Sequence, residues 1–394
     1  MADSLSRRRF LQGASALGAA AAVGACTGGS DEPTAGPATT TTAPVRGNEG
    51  VLVIVTLYGG NDALNTVAPV NDPTYQSLRG ALALDPATTH DIGDGFSLHP
   101  ALSGCKGLWD AGRLAVVHGV GFDNLDRSHF HCMDVWQAGN DEAPTSGWIG
   151  RWLDAVGSDP LDAVSIGRGL PLLARGSSRS AAVIPVGPFE LPGDRALQDL
   201  LATMSEPDSE RSTYGELVAS STADLLAVAS TVTPIVASQP LTDSLSSRFA
   251  TIATLMEADL PTRVYATDLG GFDTHSAQPG THEALLSEVD TALTTFLDRA
   301  GERPVTVLVY SEFGRRVEPN ASNGTDHGKA GTALLAGNVR PGHHGDPPPL
   351  DRLVDGDLVT TVDYRSIYAG LLEGVLGIEA DDVLDDAPSP LELV

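Results

Sequence analysis

Residues able to hold a metal recur in short glycine-rich stretches of this chain. One of them, GTDHGKAG at 324–331, sets Asp326 directly before His327. It is too rich in glycine for a stable helix or strand, and glycine permits backbone angles and close approaches that other residues resist. Four more stretches carry the same chemistry. GGNDALN (59–65) holds Asn61, Asp62 and Asn65, and FDNLDRSHFHCMDVWQ (122–137) holds Ser128, His129, His131 and Asp134. GGFDTHSAQ (270–278) holds Asp273, His275 and Gln278, and SEFGRR (311–316) holds Glu312, Arg315 and Arg316. Carboxylates combined with imidazoles suit zinc, manganese or iron, whereas carboxylates alone suit magnesium or calcium.

Asp62, Asp273, His275, Asp326 and His327 supply ligands for one or two ions, zinc or manganese by this chemistry. A two-metal site clamps the attacking and leaving oxygens of a displacement at phosphorus. Arg315 or Arg316 would grip an anionic substrate through a bidentate fork. Ser128 has two readings. It stands where a helix N-cap belongs, with Asp126 as a competitor. It also stands where a nucleophile would face the positive end of a helix dipole. Asp62 has an ordinary turn reading as well, and Glu312 and Arg315 have the simpler reading of a mutual pair. His99, before Pro100, reads as a helix-entry residue. His343 and His344 lie in a Pro/Gly loop, with a late metal ligand as the alternative. Lys329 reads as a solvated loop residue, with a place near the substrate as its alternative.

These stretches need elements to position them. Short β-branched apolar runs at 51–58, 114–120, 263–269, 305–310 and 332–337 read as strands buried on both faces. Helical spacing of apolar residues occupies 241–258 and 281–300. Strands alternating with helices imply an α/β fold with a doubly wound, mostly parallel sheet flanked by helices. The polar stretches follow the strands, and such sheets bind ligands beyond the carboxyl ends of their strands. One α/β domain is expected over 51–394, with 193–258 as a helical insertion or cap.

The chain has 394 residues and a formal net charge of -27. That balance argues against binding nucleic-acid backbones, which needs clustered basic residues. The N-terminus reads as an export signal over 1–26. SRRRFLQG (6–13) is a twin-arginine pattern, and the apolar run from Ala14 to Ala25 is too short to span a membrane. The run ends in VGAC, which reads as a lipobox whose Cys26 anchors the protein to a membrane, the alternative being a cleavage site with an incidental cysteine. A Thr/Pro-rich linker occupies 27–50. The twin-arginine route exports folded proteins, often with a cofactor in place. No second hydrophobic stretch of membrane length is read. Cys105 and Cys132 are either a disulfide or small buried apolar residues.

The quoted motifs, together with GWIGRWLD and VTTVDYRSIYAGLL, resemble the DUF1501 family of exported bacterial proteins from about Val51 to the C-terminus. That family is in turn similar to the alkaline phosphatase superfamily of phosphatases, sulfatases and phosphoglycerate mutases. The resemblance implies an alkaline-phosphatase-like fold, Asp62 as the first-strand ligand and Ser128 as the nucleophile. It also implies Asp273 with His275 as a middle ligand pair, and Asp326 with His327 as a later one. In the phosphatases the middle pair is spaced Asp-x-x-x-His, and a last histidine ligand follows downstream. Two functions result. One is an exported metal-dependent hydrolase of phosphate or sulfate esters acting on an anionic small molecule or polysaccharide. The other is a non-catalytic surface lipoprotein of the same fold that binds a polysaccharide or protein. A redox pair of Cys105 and Cys132 is a third reading.

Overall fold

The continuous apolar runs become buried strands. The computed structural model describes residues 50–394, apart from 124, 141–144, 188–190, 192–193, 207–211 and 238–241. The export signal, Cys26 and the linker through residue 49 lie outside the described residues. Nine strands form the main sheet: β1 (Val51–Tyr58), β2 (Leu114–Gly121), β3 (Ala163–Gly167), β4 (Ala182–Pro185), β5 (Val264–Gly270), β6 (Val305–Ser311), β7 (Gly331–Gly337), β8 (Gly342–His344) and β9 (Val362–Asp363). Their order is β8-β2-β7-β6-β1-β5-β3-β4, with β9 paired to β2. β7 runs antiparallel to both of its neighbours, β2 and β6, and every other pairing in this sheet is parallel. The expected mostly parallel α/β sheet is therefore present. The run at 332–337 enters it reversed, because the loop from β6 returns directly without a crossover helix.

The helices used below are α1 (Pro73–Arg79), α2 (His129–Ala138), α3 (Arg195–Ser205), α4 (Thr213–Val236), α5 (Leu245–Glu257), α6 (Gln278–Ala300) and α7 (Tyr364–Leu371). The chain divides into two units, residues 190–229 and residues 50–189 with 230–394, apart from the undescribed N-terminus. The smaller unit holds α3 and most of α4. Asp194 caps α3 by accepting from the N–H groups of Ala196 and Leu197. By length and composition alone α4 is apolar enough to cross a membrane, which corrects the sequence reading that finds no second stretch of membrane length. The region expected as an insertion is helical where described. Its last helix, α5, belongs to the larger unit and packs on α6, with the Phe249 and Phe296 rings 4.8 Å apart.

The position of α2 matters for the site. Trp136 stacks on Tyr310 of β6 with ring centroids 4.7 Å apart. Tyr364 and Tyr368 of α7 donate hydroxyl protons to the carbonyls of Val135 and Trp136, at 3.0 and 2.9 Å. Aromatic pairs contribute about 0.5–1.5 kcal/mol beyond the area they bury. The helix that starts at His129 is thus fixed to the sheet at its far end. Cys105 and Cys132 are free and buried, so they are not bonded to each other.

Candidate metal centre

β5 and β6 flank β1, and the chain passes from one to the other through α6. The crossing creates a switch point, where such sheets open a crevice at the carboxyl ends of their strands. Because β7 is reversed, the loop that precedes it, with Asp326 and His327, lies at the same edge. The α2 N-terminus completes the group.

Three imidazole Nε2 atoms converge there on one carboxylate oxygen. Asp273 Oδ1 lies 3.0 Å from His275 Nε2, 3.1 Å from His327 Nε2 and 3.3 Å from His129 Nε2. The Nε2 atoms of His275 and His327 are themselves 2.9 Å apart. Each ring is oriented through its other nitrogen. His129 Nδ1 meets Glu312 Oε1 at 2.7 Å, His275 Nδ1 meets Asp326 Oδ1 at 3.1 Å, and His327 Nδ1 meets the Arg127 carbonyl at 2.9 Å. All three partners only accept, which suits the tautomer with its proton on Nδ1 and Nε2 turned to the centre for a cation. Histidines that bind a metal are held in this manner, by a carboxylate or a carbonyl on the second nitrogen. His129 Nε2 is buried without a hydrogen-bond partner, and its approach to Asp273 has the distance of an ion pair without the alignment of a hydrogen bond. Ligand atoms of His129, His327 and Asp273 all lie within 4.8 Å of one another and could hold a metal ion, with His275 Nε2 beside that of His327; imidazoles with a carboxylate suit zinc or manganese.

Burial pushes the Asp273 carboxyl upward, but its bonds from Arg315 and His327 outweigh this and hold it down at about 2. The Glu312 bond raises the His129 pKa against the effect of burial. Glu312 itself is buried. Its Oε1 also accepts from the Gly59 N–H at 2.8 Å, and its Oε2 from the Ser311 hydroxyl at 2.9 Å.

The loop carrying His327 is clamped between two others. Arg316 N–H donates to the Asp326 carbonyl at 3.0 Å, Gly328 N–H to the Gly314 carbonyl at 2.9 Å, and Thr325 N–H to the Thr274 carbonyl at 3.2 Å. A Cβ on Gly324 would come within 2.3 Å of the His275 backbone, and one on Gly328 within 2.5 Å of the Arg315 backbone. The glycines of GTDHG therefore permit the contact that brings His327 beside His275.

The expected site residues fall into two groups. Asp273, His275 and His327 come together as described. Asp326 stands one step back, where its Oδ1 orients His275 and accepts from Asn320 Nδ2 at 3.1 Å. Asp62 is buried away from the cluster, with Oδ1 paired to Arg79 of α1 and Oδ2 accepting from Gln278 Nε2. Burial raises its pKa, and the Arg79 and His282 charges and the hydrogen bonds reverse that, so that the net shift is downward. Gln278 Oε1 in turn accepts from the Thr325 hydroxyl at 2.6 Å, which ties Asp62 to the 324–329 loop. Arg315 is 2% exposed and its donors are engaged. They reach the carbonyls of Gly59, Gly60, Phe272 and Thr325 as well as Asp273 Oδ1 at 2.7 Å. The expected anion grip thus meets a guanidinium already committed to three loops. Arg316 Nη1 donates to the Asp355 carbonyl. Ser128 is the N-cap of α2, its Oγ accepting from the His131 N–H at 3.5 Å while Asp126 accepts the Ser128 N–H at 2.9 Å.

His343 is drawn to the other side of β2, where its Nδ1 meets His118 Nε2 at 2.8 Å beside the Phe96 and Trp109 rings. His344 bonds the Arg340 carbonyl, and His99 Nδ1 accepts from the Ala101 N–H. Sequence reasoning gave no ligand role to His129 and offered a pair with Arg315 as the simpler reading of Glu312. The signal for both was a histidine directly after a helix cap together with an unassigned carboxylate at a strand end.

Residues 191–364 match the family described as "Protein of unknown function (DUF1501)". The matched stretch contains Asp273, His275, Glu312, Asp326 and His327, while Asp62, Ser128 and His129 precede it. No curated protein matches the chain. Among solved structures, the chain is similar to the C-terminal periplasmic domain of EcEptC from Escherichia coli, at 9% identity and a TM-score of 0.43, covering 87% of this chain and 88% of that one. It is also similar to a protein in the alkaline phosphatase superfamily from Vibrio parahaemolyticus, at 10% identity and a TM-score of 0.39, covering 98% and 77%. A third is the lipoteichoic acid synthase LtaP from Listeria monocytogenes, at 6% identity and a TM-score of 0.34, covering 86% and 74%.

Proposed function

We propose that the protein is a metal-dependent hydrolase of phosphate or sulfate esters, built on one ion held by the Nε2 atoms of His129, His275 and His327 and the Asp273 carboxylate. The observation that carries this reading is the convergence of three Nε2 atoms on Asp273 Oδ1 while each Nδ1 is held by an acceptor. A divalent ion in such a site neutralises charge on a transferring group and lowers the pKa of a nearby hydroxyl. The chain's own residues do the positioning. Arg315 holds Asp273, Glu312 holds His129 and Asp326 holds His275. Ser128 presents its hydroxyl at the N-terminus of α2, one residue before His129, where free N–H groups and the helix dipole favour an anion. Zinc or manganese is the ion this donor set suits, and an anionic small molecule or polysaccharide ester is the substrate class. Export by the twin-arginine signal and anchoring through a lipidated Cys26 would place the activity outside the cytoplasm.

Elemental analysis of the purified full chain, combined with turnover of an aryl phosphate and an aryl sulfate, tests the proposal. Ser128→Ala is expected to abolish turnover with metal content unchanged. Unchanged turnover would remove Ser128 from the mechanism, and absence of zinc, manganese and iron would sink the hydrolase reading. One observation favours the non-catalytic alternative, a surface lipoprotein that binds a polysaccharide or protein. Asp62 and Arg315, the expected second-ion ligand and anion grip, are both buried with their polar atoms engaged, so the cluster supports one ion and brings no free arginine.

A further inference from the structure

A second concavity opens at the carboxyl ends of β1, β5 and β3. Its volume is about 290 Å³, and its walls include Tyr58, Arg168, Leu170, Pro171, Leu173 and Asp268. That volume is at the lower end of the roughly 300–1,000 Å³ typical of ligand sites, the size for a single ring. Three polar groups of different character meet an aliphatic wall there. The Tyr58 hydroxyl accepts from Gln137 Nε2 at 2.8 Å, which leaves its own proton to donate. Asp268 presents a half-exposed carboxylate whose Oδ1 lies 3.3 Å from Arg248 Nη1. The Arg168 side chain is 81% exposed and pairs through Nη2 with Asp243.

We propose that this cavity binds a sugar ring of an oligosaccharide whose ester group lies at the metal centre; the ester part of the proposal rests on the hydrolase reading. Vicinal hydroxyls both donate and accept, so they match a carboxylate, a guanidinium and a phenol set around one ring, while the C–H face packs on Leu170 and Pro171. A free phosphate would face the Asp268 carboxylate, and an alkyl chain would strip water from three polar groups without replacing their hydrogen bonds. The cavity is also joined to the metal centre through the fold. Gly59, next to Tyr58, donates to the Glu312 oxygen that holds His129. Gln137 bridges the Tyr58 hydroxyl and the Leu173 N–H from the helix that begins at His129. Eight residues of helix separate Gln137 from His129, about 12 Å at 1.5 Å per residue, a span that a short oligosaccharide covers.

The test is ligand-observed NMR on the full chain with unesterified lactose, maltose and cellobiose, in the wild type and in the His275→Ala, Asp268→Asn and Arg168→Ala variants. Circular dichroism verifies that each variant is folded. Arg168 is exposed, so its variant stays interpretable even if Asp268→Asn does not fold. At least one disaccharide is expected to bind the wild type and His275→Ala equally, and to bind Asp268→Asn or Arg168→Ala about tenfold more weakly, the weight of one good polar contact. No binding by any of the three sugars, or binding unchanged in both cavity variants, would overturn the proposal. Sugar binding with no ester turnover would overturn the hydrolase reading and leave the cavity assignment standing. Ester turnover with no sugar binding would do the reverse.

Discussion

The Nδ1 bonds of His129, His275 and His327 decide which nitrogen of each ring faces the centre. On the proposed reading, replacing any one ring by alanine removes a ligand, and the expected result is loss of bound zinc or manganese by elemental analysis with the circular dichroism spectrum retained. Glu312 is the more discriminating residue, because it contacts His129 and stands outside the proposed ligand set. Glu312→Gln keeps the shape but weakens the hold on Nδ1. Its expected effect is a 10- to 100-fold (roughly) loss of metal affinity in a chelator competition, the usual consequence of losing an outer partner. An affinity equal to that of the wild type would mean that the Glu312–His129 contact does not orient a ligand. Asp326→Asn is expected to act through His275 in the same way.

Arg315 and the 324–329 loop act at the scale of elements. The Arg315 guanidinium donates to carbonyls at the end of β1, after β5 and before β7, so that one side chain locks three segments whose strands were paired elsewhere along their length. Arg315→Met leaves those buried carbonyls and the Asp273 carboxylate without a donor. The expected cost is on the order of 3 kcal/mol or more in urea unfolding, because breaking buried charged contacts costs about that much. A cost below about 1 kcal/mol would show that water substitutes freely for the guanidinium. Gly324→Ala tests the loop contact. A methyl group 2.3 Å from the His275 backbone must push the two loops apart. Overpacking of this type costs about 1–3 kcal/mol. Metal affinity is expected to fall with it, since His275 and His327 then separate.

The acid response belongs to the whole molecule, because it sums over buried groups on different elements. Burial, with smaller contributions from neighbouring charges, holds His282 down at about 4 and His118 at about 3. An unfolded histidine titrates near 6.5. Between these values the unfolded chain binds protons that the native chain does not, so stability is fully present above about pH 6.5 and is lost as the pH falls toward 4. At 1.36 kcal/mol per pKa unit, His282 alone accounts for a loss on the order of 3 kcal/mol across that window. Asp62 acts in the same direction at lower pH. Its folded pKa is depressed, so its contribution is present above its unfolded value near 4 and fades below it. Urea midpoints of the metal-free protein from pH 7 to pH 4 measure this. His282→Asn is expected to flatten the upper part of the curve, and an unchanged slope would show that His282 does not carry it.

The sequence by itself determined the strands, because runs such as VLVIVTLY and VTVLVY are apolar on both faces and suit only a covered sheet. It also determined that polar loops would gather at one edge, since each loop follows a strand in the same register of the pattern. Asp273, His275 and His327 were legible as a group for that reason. Only the tertiary structure decided the direction of β7, which periodicity does not encode and which carries the 324–329 loop to the strand ends. It also decided the exchange of roles between near neighbours. His129 enters the cluster, Asp326 moves behind it, and Asp62 and Arg315 turn inward to buried partners. Such choices depend on distances of a few ångströms between segments far apart in the chain, and residue type and local spacing leave those distances open.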